Sequence, residues 1–71
     1  MFTIASAANG IVESFGWDYD QALTFATDVA RGRGVETGVE EGGQAPRVEI
    51  DEDTWRTIWE EAAVGSETTQ Y

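Results

Sequence analysis

Seventy-one residues without a cysteine leave this chain no disulfide and no thiolate metal site to hold it together. Its fold must rest on one apolar core, at a length where burial and ordering entropy nearly cancel. Stability is expected to be modest unless a partner or a second copy adds surface. Trp17, Trp55, Trp59, Phe2, Phe15, Phe25, Tyr19, Leu23, Ile4, Ile11, Ile50 and Ile58 supply the material for that core. A single domain over residues 1–65 is expected, followed by a disordered polar tail at residues 66–71.

Ile4, Ala7, Ala8, Ile11, Val12 and Phe15 recur at the spacing of one helical stripe. Thr3 is placed to cap that helix and Gly16 to end it. Asn9-Gly10 permits a rival reading, a turn between two strands that would bring Phe2, Ile4, Phe15 and Trp17 together. Gly10 inside a helix costs roughly 1 kcal/mol relative to alanine. Ala5, Ala7 and Ala8 are poor strand formers, which favours the helix. In the second helix Asp18 and Gln21 have the spacing of a capping box, and Tyr19, Ala22, Leu23, Ala26, Val29 and Ala30 form the stripe. Arg31 suits its negative end, and Gly32 or Gly34 stops it.

Residues 35–41 and 45–50 read as two strands across Gly42-Gly43. That register sets Val35 opposite Ile50, Thr37 opposite Val48, and Glu36 opposite Glu49. Like charges placed directly opposite destabilise a pair, and Pro46 suits only an edge. A third helix starts at Asp51, with Ile50 and Trp55 spaced as a hydrophobic staple and Trp55, Ile58, Trp59 and Ala62 as its stripe. The expected class is α+β: two N-terminal helices, an antiparallel β-hairpin and a C-terminal helix. A ββαββα arrangement with an N-terminal hairpin is the alternative.

Fourteen acidic residues face four basic ones, all arginine, and neither lysine nor histidine occurs. A net charge of −10 repels nucleic acid and anionic lipid, and favours a basic partner. Without histidine, cysteine or lysine the usual general base, thiol nucleophile and Schiff-base amine are missing, so the expectation is no enzyme and no cofactor. Asp18 with Asp20, and Asp51 with Asp53, are the carboxylate pairs that remain, and helix capping accounts for them. Asp51-Glu52-Asp53 lacks the glycine and distal glutamate of an EF-hand loop. The many glycines show no Walker or dinucleotide spacing. No basic region precedes an apolar run, and no stretch is long and apolar enough for a membrane span. A soluble, cytoplasmic protein is expected, in the host cytoplasm if the source is viral.

The carboxylates gain meaning as a surface. Glu36, Glu40 and Glu49 on the hairpin, with Asp51, Glu52, Asp53 and Glu60 on the third helix, are the expected partner-binding residues. Rows of carboxylates on a scaffold imitate the charge of a phosphate backbone. Acid-rich, lysine-free composition also arises from a salt-rich cytoplasm or a GC-rich genome. In that reading the chain is a small interaction or structural module that works through apolar contacts or self-association.

Two resemblances bear on this. Phe15-Gly16-Trp17 between two amphipathic helices, followed by Gln21-Ala22-Leu23, resembles the start of ubiquitin-associated domains, whose loop carries a Met-Gly-Phe-like tripeptide. The likeness covers residues 11–26 and implies a ubiquitin-type partner. In size, charge and lack of catalytic residues the chain also resembles small phage-encoded inhibitors, including DNA-mimicking anti-restriction and anti-CRISPR proteins. That resemblance is one of composition, and it implies occlusion of a basic, nucleic-acid-binding surface.

Overall fold

The computed structural model describes residues 1–68 and has the expected α+β architecture. In chain order its elements are β1 (Phe2–Thr3), α1 (Ile4–Phe15), α2 (Tyr19–Gly32), β2 (Glu49–Ile50) and α3 (Glu52–Thr68). Residues 4–15 form a helix, which removes the N-terminal hairpin. Thr3 caps α1 through a reciprocal box: its Oγ1 accepts from the Ser6 amide at 3.1 Å, and Ser6 Oγ accepts from the Thr3 amide at 3.0 Å. Gly16 closes the other end in the left-handed region (φ 76°), its N–H donating to Val12 O at 2.9 Å.

The antiparallel strand pair keeps only the end of the second expected strand, Glu49–Ile50, and takes its partner from the N-terminus. Phe2 pairs with Ile50 and Thr3 with Glu49, so the pairing of β1 with β2 ties the start of the chain to the segment just before α3, across α1 and α2. Residues 35–41 form no strand. Gly34, Gly38 and Gly42 all hold positive φ (92°, 74° and 86°), and a left-handed residue every fourth position cannot continue a pleated strand. Val35 therefore does not face Ile50, and Glu36 does not face Glu49.

Residues 34–48 run instead as a strap along α2, fixed by polar side chains of that helix. The Gly42 N–H donates to Asp28 Oδ1 at 3.0 Å, Gln44 Nε2 reaches Thr24 Oγ1 at 3.3 Å, and the Ala45 N–H donates to Thr27 Oγ1 at 3.1 Å. Past Ala45 the strap covers the start of α1. There the carbonyls of Pro46 and Val48 accept from the amides of Ala5 and Ile4, both at 3.0 Å. The first N–H groups of α1, which have no partner inside the helix, are thus satisfied from a segment over forty residues away in sequence.

Seven of the twelve buried apolar residues are alanine, so the helices approach closely and the large rings are displaced to the edge of the core. Ile4, Ala7, Ala8 and Ile11 of α1 meet Ala22, Leu23, Ala26 and Ala30 of α2 in one cluster with Ile58 and Ala62 of α3. Tyr19, expected in the α2 stripe, is exposed, and Thr27 is fully buried in its place. The Thr27 hydroxyl donates to Leu23 O at 2.8 Å while accepting from Ala45, so the buried oxygen is satisfied in both senses. Along the α1–α3 side the rings form a row: Phe2 to Trp55 at 5.2 Å, Trp55 to Trp59 at 5.3 Å, and Trp59 to Phe15 at 5.8 Å.

The third helix runs beyond its expected end. Gly65 and Ser66 are helical and the element continues to Thr68, where a disordered tail was expected from residue 66. Trp17 explains the extension. Its indole Nε1–H donates to Ser66 Oγ at 2.8 Å, and a Cβ built on Gly65 would lie 3.8 Å from the ring. Residues 69–71 lie outside the described residues.

Candidate acidic docking surface

The acidic residues are placed by two different devices. On the strap, the sequence Gly34-Val35-Glu36-Thr37-Gly38-Val39-Glu40-Glu41 is a doubled Gly-Val-Glu unit. Each unit opens on a left-handed glycine, turns its valine toward the core and leaves its glutamate exposed. The strap then reverses at Glu40–Gly43, where the Gly43 N–H donates to Glu40 O at 2.8 Å with Gly42 in the left-handed region. These turns enclose an open concavity of about 880 Å³ edged by Glu36, Glu40, Glu41 and Arg31. Sequence alone suggests Gly34 as a helix stop, Gly38 as a strand residue and Gly42 as part of a hairpin turn. Their recurrence every four residues was the signal for a repeated turn.

The second device is the junction of β2 and α3. Glu49 is exposed opposite Thr3. Asp51 Oδ1 accepts from the Thr54 N–H at 2.8 Å, the bond that caps α3. The Asp51 carboxyl is held below its ordinary value by hydrogen bonding from the Thr54 hydroxyl and amide, with a further contribution from the Arg33 charge. Glu52 accepts from Arg56 at 2.8 Å one turn along α3, and Asp53 lies 3.9 Å from Arg33. Glu60 is exposed further along α3.

All seven expected contact residues, Glu36, Glu40, Glu49, Asp51, Glu52, Asp53 and Glu60, are therefore exposed. The pairing of residues 35–41 with 45–50 that would have joined them does not form, and they arise from two separate stretches of backbone. Three of them also have internal work: Asp51 as a cap, Glu52 and Asp53 as ion-pair partners. Glu36, Glu40, Glu49 and Glu60 form no ion pair among the described residues, and neither do Glu41 and Glu61.

The counter-charge is mostly consumed internally. Arg31 pairs with Asp28 at 3.7 Å, Arg33 with Asp53 and Arg56 with Glu52. Among the described residues no group of three or more acidic, histidine or cysteine side chains is positioned to hold a metal ion, Asp51-Glu52-Asp53 included. None of the described helices is long and apolar enough to cross a membrane.

The three tryptophans, the candidates for an apolar docking face, are engaged within the fold. Trp17, in the Phe15-Gly16-Trp17 tripeptide, packs edge-to-face on Phe25 at 5.2 Å and bonds Ser66. Trp55 and Trp59 pack on Phe2, Phe15 and each other. Among the described residues the large apolar side chains left exposed are Met1 before β1, Tyr19 at the start of α2 and Val64 in α3. No protein-family model, curated protein or solved structure matches the chain.

Proposed function

We propose that this chain is a non-enzymatic acidic binding protein that inhibits a nucleic-acid-handling protein by occupying its basic groove. The observation that supports this most is the division of labour among its side chains. The phenylalanine and tryptophan rings and three of the four arginines are spent on internal contacts, while a set of unpaired glutamates is displayed. What remains for a partner to meet is chiefly negative charge.

Magnitudes support a backbone-like ligand. The protein is 35 Å long and carries a net charge of −10. A single nucleic-acid strand carries one charge per about 3.4 Å, or roughly ten over that length, whereas a duplex carries about twice as many. The chain matches one strand's charge spread over a folded surface. Association with a basic groove would be steered electrostatically and would slow as salt rises.

Charge reversal at Glu36, Glu40 and Glu49 tests this. None of these three side chains caps a helix or forms an ion pair, so the E36K/E40K/E49K variant should fold as the parent does. It should bind the partner at least tenfold more weakly at low salt. Undiminished affinity in a folded variant would overturn the reading.

A further inference from the structure

The groove between α2 and α3 differs from the rest of the acidic surface in having an apolar floor. Phe25 and Val29, both partly buried against the core, form that floor over a volume of about 360 Å³. Asp28 and Glu61 stand on its rim, one from each helix. Gly32 lies at the end of α2, where a Cβ would meet nothing within 4 Å, so the groove stays open there. Arg33 is the cation on the rim, and it is already committed: Nε donates to Thr54 Oγ1 at 3.3 Å and Nη2 approaches Asp53.

The two rim carboxylates retain acceptor capacity. Asp28 uses Oδ1 for both the Gly42 amide at 3.0 Å and Arg31 at 3.7 Å, which leaves Oδ2. Glu61 is exposed and forms no ion pair among the described residues. An apolar floor lined by a carboxylate from each of the two helices suits a long side chain with an apolar stem and a planar cationic head. Arginine fits that description better than lysine, because its flat guanidinium presents several N–H donors in a fixed fork to two carboxylates at once.

We infer that the α2–α3 groove is a receptor for an arginine side chain of the partner, its stem on Phe25 and Val29 and its guanidinium between Asp28 and Glu61. The inference rests on the proposal that the partner is basic, and it adds where and by which residue type the contact is anchored. It assigns a role to Asp28, which the sequence does not single out as a contact, and joins it to Glu61 of the third helix.

The test is a titration of the full chain with argininamide, followed by backbone NMR. Shifts should concentrate at Phe25, Asp28, Val29 and Glu61, and lysinamide should bind several-fold more weakly. Glu61→Gln should weaken argininamide binding by roughly threefold, the scale of an exposed ion pair. Glu13→Gln removes the same charge from α1 and should leave binding unchanged. Shifts spread over all carboxylate-bearing residues, equal responses to the two ligands, or equal effects of the two variants would overturn the inference. None of those outcomes bears on whether a basic groove is occupied, which the charge-reversal variant reads separately.

Discussion

The indole of Trp59 occupies the space that a side chain at position 10 would need. A Cβ built on Gly10 would lie 2.8 Å from Cε2 and 2.9 Å from Nε1 of that ring. The glycine that looked like a hairpin turn is the point at which α3 rests on α1. Gly10→Ala should therefore destabilise the protein, although alanine is the better helix former by about 1 kcal/mol. Overpacking of this kind costs roughly 1–3 kcal/mol and should outweigh that gain. A lower urea midpoint at unchanged m-value is the expected result; a higher midpoint would mean that Trp59 does not sit against this turn.

Thr27 fixes the strap from inside the core. Thr27→Val keeps the shape but removes the oxygen that accepts from Ala45, leaving a buried N–H without a partner. The expected loss is about 1–3 kcal/mol. Hydrogen exchange at the Ala45 amide should rise more than exchange in the middle of α1. Uniform acceleration across both sites would show that the bond is not what holds the strap.

Trp17 and Ser66 tie the connection between α1 and α2 to the last turn of α3. Ser66→Ala and Trp17→Phe should each cost about 1 kcal/mol through the lost hydrogen bond, the second somewhat more through lost ring area. Their effects should be strongly non-additive in a double-mutant cycle. Additive losses would show that the two side chains do not act on each other.

Asp51 gives the fold an acid-sensitive contact. Its carboxyl titrates below 3.8, its ordinary value, so the stabilisation it provides is complete above that pH and fades as pH falls through the lower, folded value. Asp51→Ala should be less stable than the parent from about pH 7 down to about pH 5. The two stability curves should converge below pH 3.8. A gap that persists unchanged in acid would assign the loss to something other than the ionised cap.

The helices were legible because their signals are local. The Ile4–Phe15 stripe, the Thr3 cap and the Gly16 stop all lie within one segment and agree with one another. The strand pair was not, because Phe2–Thr3 and Glu49–Ile50 are too short to show a period and lie on either side of α1 and α2 in sequence. Gly34, Gly38 and Gly42 are equally compatible with hairpin turns and with a doubled left-handed turn until Thr27 and Asp28 are seen holding the strap. The end of α3 was hidden for a similar reason: only the contact with Trp17 separates Gly65-Ser66 from an ordinary polar tail. Of the expected docking residues, exposure could be read from composition, whereas the internal pairing of Glu52 and Asp53 depended on where Arg56 and Arg33 fell.

The most direct test of the proposed function is capture of binding partners by the tagged full chain, repeated with excess single-stranded or duplex DNA as competitor and across a salt series. The account predicts a nucleic-acid-handling protein that either competitor displaces, that salt releases, and that the E36K/E40K/E49K variant fails to retain. A partner retained in the presence of DNA and at high salt, and held equally by that variant, would contradict it.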